Sequence, residues 1–267
     1  MSYKTAFVNA FAKGMFDGNT AAVVIVDSYP DRSEMLAIAK LYGFSETAFL
    51  LREGVAKYHI RWFTPEVEVS LCGHATLASA AFLFSEMEQA AKLIQFSSLS
   101  GELVAKRQDD EIELDFPLDI PETFQPEEQV MQALGVSRAI DTLYAPATRN
   151  LMVVLGSADE VTAIKPDFAS LSALPTQQYF GIAVTASTDE GYICRYFAPW
   201  EGINEDPVTG SAQTFLAPYW ADKLGKTSLK GYQASARGGH FGLGIEGNRI
   251  LIRGKAVIYI NGALLTD

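Results

Sequence analysis

Cysteine is nearly absent. Cys72 and Cys194 are the only two in 267 residues, too few for a disulfide framework, so a reducing compartment and a cytoplasmic location are the expectation. Histidine is scarce too: His59, His74 and His240 are the only three. With no H-x-x-x-H or C-x-x-C spacing, the sequence gives no expectation of a catalytic metal. Apolar runs fall well short of the ~18 residues that span a bilayer. The opening MSYKTAFVNAFAKGMF is too polar throughout for a signal peptide, so no membrane partner is expected. Basic residues are outnumbered, 21 Lys and Arg against 32 Asp and Glu, for a net charge of −11. No basic run offsets that repulsion, which argues against nucleic acid as a partner. No G-x-G-x-x-G opens a helix after a strand, and Gly238-Gly239 reads as a turn between strands, so a dinucleotide site is not expected.

What is present is a motif that occurs twice. Residues 61–76 read RWFTPEVEVSLCGHAT and residues 195–212 read RYFAPWEGINEDPVTGSA. Each opens Arg, aromatic, Phe, with Pro two residues after the Phe. Each then carries acidic residues, reaches a Gly turn (Gly73-His74, Gly210-Ser211) and runs into an apolar stretch. A strand, a loop and a helix start are written twice, half a chain apart. Two similar half-domains with their loops facing one cleft follow, with two helix N-termini around a small anionic substrate.

Strands are expected at Tyr3–Val8, Ala21–Val26, Ser45–Arg52, Lys57–Phe63, Leu93–Ser97, Leu103–Arg107 and Glu111–Asp115. Helices are expected over 31–42 and, as a buried one, over Ala75–Met87. Pro117–Pro126 holds three prolines and reads as a linker. Helices at Pro126–Leu134, Pro166–Leu174 and Ser211–Leu224 then alternate with further strands, the last an unbroken Arg249–Tyr259. Repeated mixed strands with few helices indicate α+β rather than a doubly wound sheet. The expected halves are residues 1–117 and 118–255, with a strand at about 256–267 packing back onto the first.

His74, at a Gly turn opening a helix, is hard to place as a core histidine and is a functional candidate. Cys72 reads either as a nucleophile beside it or as a small buried hydrophobe. Pro207 biases Asp206 toward an extended conformation just before the Gly210-Ser211 helix start. There Asp206 and Ser211 either cap backbone N–H groups or face a substrate acid. Glu46 lies among apolar residues in FSETAF. It is either an outward-facing strand residue or a carboxyl raised toward neutrality, suited to taking and returning a proton. Asn19, in GNTAA, is by default a turn residue.

Five segments, Gly18-Asn19-x-Ala21-Ala22-Val23-Val24, Ser45-Glu46-Thr47-Ala48-Phe49, Arg61-Trp62-Phe63-Thr64-Pro65, Leu71-Cys72-Gly73-His74-Ala75-Thr76 and Glu205-Asp206-Pro207-Val208-Thr209-Gly210-Ser211-Ala212, resemble in order the PhzF family of phenazine-biosynthesis isomerases. The resemblance implies a diaminopimelate epimerase-like α+β fold of two pseudo-symmetric halves. Each half is a mixed sheet or barrel wrapped around a central helix. It also implies a homodimer, and an isomerase without metal or organic cofactor. In that reading Glu46 is the general acid/base. His74 and Asp206 are catalytic partners, and Asn19, Cys72, Gly73, Gly210 and Ser211 bind the substrate, a small carboxylated amino or hydroxy acid. The epimerase relatives use two cysteines, whereas here Asp206 stands opposite Cys72, which disfavours a two-thiol racemase. An amino-acid racemase using Cys72, and a catalytically inactive binding protein on the same scaffold, remain as alternatives.

Overall fold

The computed structural model describes residues 2–175 and 178–266. They form two compact units. The first runs to Phe116 and is rejoined from Ile252 onward; the second is Pro117–Leu251.

In the first unit β1 (Ser2–Ala10) pairs antiparallel with β2 (Asn19–Val26), and β2 runs parallel to β3 (Glu46–Gly54). β3 turns back into antiparallel β4 (Lys57–Phe63), which also meets the short β5 (Glu68–Val69). β4 is parallel to β6 (Leu93–Ser98); β6, β7 (Gly101–Gln108) and β8 (Glu111–Pro117) then form a meander. A parallel pair needs a crossover. Helix α1 (Arg32–Tyr42) makes the one from β2 to β3, and α2 (Gly73–Glu86) the one from β4 to β6. α1 is amphipathic and lays Met35, Ile38 and Ala39 on Val24, Val26, Phe49 and Phe63. α2 has no polar stripe and is buried nearly all round, as such a sequence requires. It packs against β1, β2, β3 and β7.

The second unit repeats this order of pairings. After the short β9 (Glu122–Thr123) come β10 (Asp141–Ala145) and β11 (Asn150–Val154), antiparallel; β11 is parallel to β12 (Gly181–Thr188). β12 is antiparallel to β13 (Gly191–Phe197), which is parallel to β14 (Ser228–Gln233). β14 is antiparallel to β15 (Gly239–Glu246), and β16 (Arg249–Gly254) follows. Helix α3 (Glu128–Leu134) precedes the set. α4 (Ala158–Ala163) and α5 (Phe168–Ala173) make the crossover into β12, and α6 (Gln213–Leu224) that into β14. The duplicated motif is thus the strand, loop and buried helix at the same topological place in each unit. Pro218 inside α6 cannot donate to the carbonyl of Thr214. The backbone N–H of Asp119 does so instead, at 3.1 Å.

Strand β17 (Ala256–Leu265) then pairs along the whole of β1, and α2 packs against it too. The single strand expected over Arg249–Tyr259 is therefore two, broken at Lys255 after Gly254. The expected linker contains β9 and the buried Asp119, whose carboxylate accepts from the backbone of Ala147 and Thr148. α4 was not expected; its six residues are too short to display a helical period.

Candidate active site

The first unit brings five of the eight candidate residues together. The register pairs Ala21 with Glu46, so β2 and β3 open side by side with Asn19 and Glu46 at their first positions. Gly18 makes this possible. Its φ of +76° is in the left-handed region, and a Cβ there would overlap the carbonyl oxygen of Ala10. Cys72, Gly73 and His74 arrive on the first turn of α2, whose buried face is set by its apolar sequence.

Glu46 and His74 face each other, Nε2 to Oε2 at 3.0 Å, with side chains 15% and 6% exposed. The amide of Asn19 lies 3.5 Å from His74 Nδ1, and Cys72 Sγ lies 3.5 Å from the same nitrogen. Ser45 Oγ donates to Asn19 Oδ1 at 3.2 Å and lies 3.4 Å from His74 Nε2. Cys72 occupies the N-cap position of α2 with no side-chain cap bond, so the helix offers its N-terminal backbone donors uncapped.

Charge on this cluster is decided by a contest between burial and pairing. Burial alone would raise the Glu46 carboxyl. The His74 charge, with the polar hydrogens of His74, Ser45 and Cys72 close to the carboxylate, outweighs it, so the pKa falls below the usual carboxylate value. Burial alone would likewise neutralise His74, but its neighbours Cys72 and Glu46 hold it well above its ordinary value. Burial and the charge of Glu46 push the Cys72 thiol up, and His74 only partly opposes them. Cys72 is therefore a thiol at neutral pH, and the carboxylate is the partner that keeps His74 charged. The expectation of a Glu46 carboxyl raised toward neutrality is corrected: apolar flanks along the strand do not reveal a cation brought in by a helix. The resting cluster is a carboxylate base beside an imidazolium acid.

The other three candidates lie in the second unit. Asp206 is half-buried and Oδ2 accepts from Thr209 Oγ1 at 2.5 Å; Gly210 is buried and Ser211 exposed. Residues 210–212 form a turn, and α6 starts only at Gln213, so Ser211 precedes the helix rather than opening it. The loop is pinned by two buried glutamines. Gln233 donates to the carbonyl of Asp206 (2.7 Å) and accepts from the N–H of Thr209 (2.8 Å), while Gln213 donates to the carbonyl of Thr209 (2.9 Å). Gly239 admits Val208 where any Cβ would overlap it.

The sequence reading missed Ser45, the two glutamines and the partners of the motif arginines. Arg61 grips Glu68 with two parallel bonds of 2.7 and 2.8 Å. In the second unit Arg195 grips Glu205 at 2.7 and 3.0 Å. These bidentate clamps tie each motif's strand to the loop that leads to Cys72 or Asp206. The repeated Arg followed by an acidic residue was a usable signal; nothing local points to the glutamines. The second unit also holds two surface cavities of about 740 and 900 Å³, lined by none of the candidate residues.

Residues 8–262 match the family model of the phenazine biosynthesis-like proteins PhzC-PhzF. An uncharacterized isomerase of Pseudomonas aeruginosa is 44% identical over 259 residues, covering 96% of both chains. The crystal structure of a PhzF-family phenazine biosynthesis protein from Enterococcus faecalis superposes with a TM-score of 0.93 at 40% identity, covering 100% of both chains. A hydroxyproline epimerase from Agrobacterium vitis, at 12% identity and a TM-score of 0.59, shares the fold alone. The α+β fold of two like halves is thus a known one, and this chain belongs to the phenazine biosynthesis-like PhzC-PhzF family.

Proposed function

We propose that the protein is an isomerase that moves a proton on a small carboxylated amino or hydroxy acid, with Glu46 as the group that takes and returns it. The observation that carries this reading is the Glu46–His74 pair, 3.0 Å apart and screened from water at an uncapped helix N-terminus. A carbon acid beside a carboxylate gives up its proton only when a base is held against it and the developing charge is met by preset donors. Glu46, ionised by its partner, abstracts the proton. The His74 imidazolium and the first N–H groups of α2 stabilise the resulting anion. Protonated Glu46 exchanges its proton with solvent and then delivers one to a different carbon, and the carboxylate is restored. The names of relatives as isomerases support the same class.

Asp206, Gly210 and Ser211 are proposed as substrate contacts on the strength of their motif. Asn19, Cys72 and Gly73 are proposed as contacts in the first unit. The reaction is proposed to need neither metal nor organic cofactor, in a cytoplasmic homodimer. A racemase reading is favoured by one contact, Cys72 Sγ at 3.5 Å from His74 Nδ1, which places a cation where it would stabilise a Cys72 thiolate once the thiol proton has gone to Glu46. The two readings separate in one experiment. The purified chain is incubated in D2O with a panel of small amino and hydroxy acids, and deuterium entering carbon is followed by NMR and mass spectrometry. Isomerisation gives deuterium in a product of shifted connectivity; racemisation gives it at the α-carbon of an enantiomer. Absence of carbon exchange across the panel would remove the proton-transfer proposal.

A further inference from the structure

Spacing along the chain gave no reason to expect a metal ligand set, because Glu46, Cys72 and His74 come from a strand and a helix start 26 residues apart or more. The fold nevertheless brings one carboxylate oxygen, one thiol sulfur and one imidazole nitrogen within 4.8 Å of one another, on buried or half-buried side chains. We propose that Glu46, Cys72 and His74 form a binding site for a borderline-soft divalent cation, zinc above all, which inhibits the protein by occupying the carboxylate.

Four features of the site support this. The donor set of one sulfur, one nitrogen and one oxygen suits zinc or cobalt and disfavours magnesium and calcium, which take oxygen ligands. Distances suit it as well. A tetrahedral ion with bonds of about 2.0–2.3 Å spaces its ligand atoms roughly 3.3–3.8 Å apart. Here Cys72 Sγ lies 4.0 Å from His74 Nε2, slightly wide, and that nitrogen lies 3.0 Å from Glu46 Oε2, slightly narrow, so small turns of the thiol and the carboxylate would bring both edges into range. Charge balances once binding releases two protons to solvent, one from the Cys72 thiol and one from the His74 imidazolium: thiolate, carboxylate and neutral imidazole together cancel a dication, which a buried site needs. Finally, Glu46 Oε2 is closed to water and receives no aligned hydrogen bond; the nearby imidazole is its electrostatic partner only. A cation would give that oxygen a direct ligand bond in place of the imidazolium's charge. Asn19, 3.5 Å from the other ring nitrogen, would hold the imidazole orientation as an outer-shell group. Three protein ligands leave one position open, as in reactive zinc sites.

The inhibitory half of this inference rests on Glu46 being the proton-transfer group; the binding half does not. The test is therefore a titration of the full-length, chelator-treated protein with Co2+ alone, followed by displacement with Zn2+. One Co2+ per chain should bind, with a sulfur-to-cobalt charge-transfer band and the intense visible bands of tetrahedral cobalt, both erased by Zn2+. Cys72→Ser should abolish the charge-transfer band. Glu46→Gln should weaken binding by more than the ~10–100-fold typical of losing an outer-shell group. Cobalt bound without a thiolate band, or bound equally by Cys72→Ser and wild type, would overturn the site, and so would no binding at all. In the D2O exchange assay Zn2+ should stop turnover and a chelator should restore it. If cobalt binds as described but no substrate exchanges, the proton-transfer reading fails and the metal site stands.

Discussion

At the scale of single residues the proposed chemistry rests on one buried ion pair. Glu46 below its usual pKa and His74 above it give opposite pH limits. The carboxylate's share of stability is present above its unfolded pKa and is lost as pH falls through the lowered folded value. The imidazolium's share is complete below its unfolded pKa and is lost as pH rises through the raised folded value. With only three histidines, imidazole C–H resonances can report this directly. His74 should titrate above the ordinary range in the wild type. In Glu46→Gln, burial loses its opponent and His74 should become neutral at a lower pH. An unchanged His74 titration in that variant would show that Glu46 does not hold the charge. Cys72 is a neutral thiol beside the pair, and the second unit's motif has Thr209 before Gly210 and Asp206 upstream, with no second thiol. Cys72→Ser should therefore retain most exchange activity, whereas a loss comparable to that of Glu46→Gln would favour the racemase.

At the scale of elements, the arginine clamps and the two special glycines set the loops that carry these residues. Charged hydrogen bonds of this kind contribute about 1.5–3 kcal/mol, so Arg61→Ala or Glu68→Ala should lower the unfolding free energy measured in urea by that order. The double variant should show coupling rather than a simple sum; strict additivity would mean that the clamp contributes nothing as a pair. Gly18→Ala should cost at least about 1–2 kcal/mol, from the left-handed backbone alone, and should displace Asn19 from His74. A variant as stable as the wild type would contradict the overlap with Ala10. Much of this level was legible in the sequence. The motif written at Arg61 and again at Arg195 gave the internal repeat. The turn before Ala75 gave the buried helix, and alternation gave most strands. What stayed hidden depends on partners far along the chain. Gln233 meets Asp206 only after β14 has crossed beside β13. The break at Lys255 and the α4 helix lie where no period is long enough to show. The charge of Glu46 was misread for the same reason, since its neighbours in sequence are apolar and its neighbour in space is a cation.

At the scale of the whole molecule, two units with the same order of strand pairings carry different chemistry in the same motif, Cys-Gly-His in one and Asp-Pro-Val-Thr-Gly-Ser in the other. This divergence within a repeat fits asymmetric proton movement better than a symmetric exchange between two thiols. A chain built this way should keep its activity through dialysis against a chelator, and a divalent ion should suppress rather than restore it. Activity lost on dialysis and recovered with added metal would reverse both the function and the role given to the metal site. The central claim, that Glu46 moves the proton, is met most directly by comparing Glu46→Gln with wild type for solvent deuterium incorporation into whichever acid of the panel the wild type turns over. The substitution keeps the side chain's shape and removes the base. Exchange should fall by the ~10²–10⁴-fold scale of general acid–base catalysis, in a protein whose unfolding is still cooperative. Exchange at a near-normal rate in folded Glu46→Gln would contradict the claim.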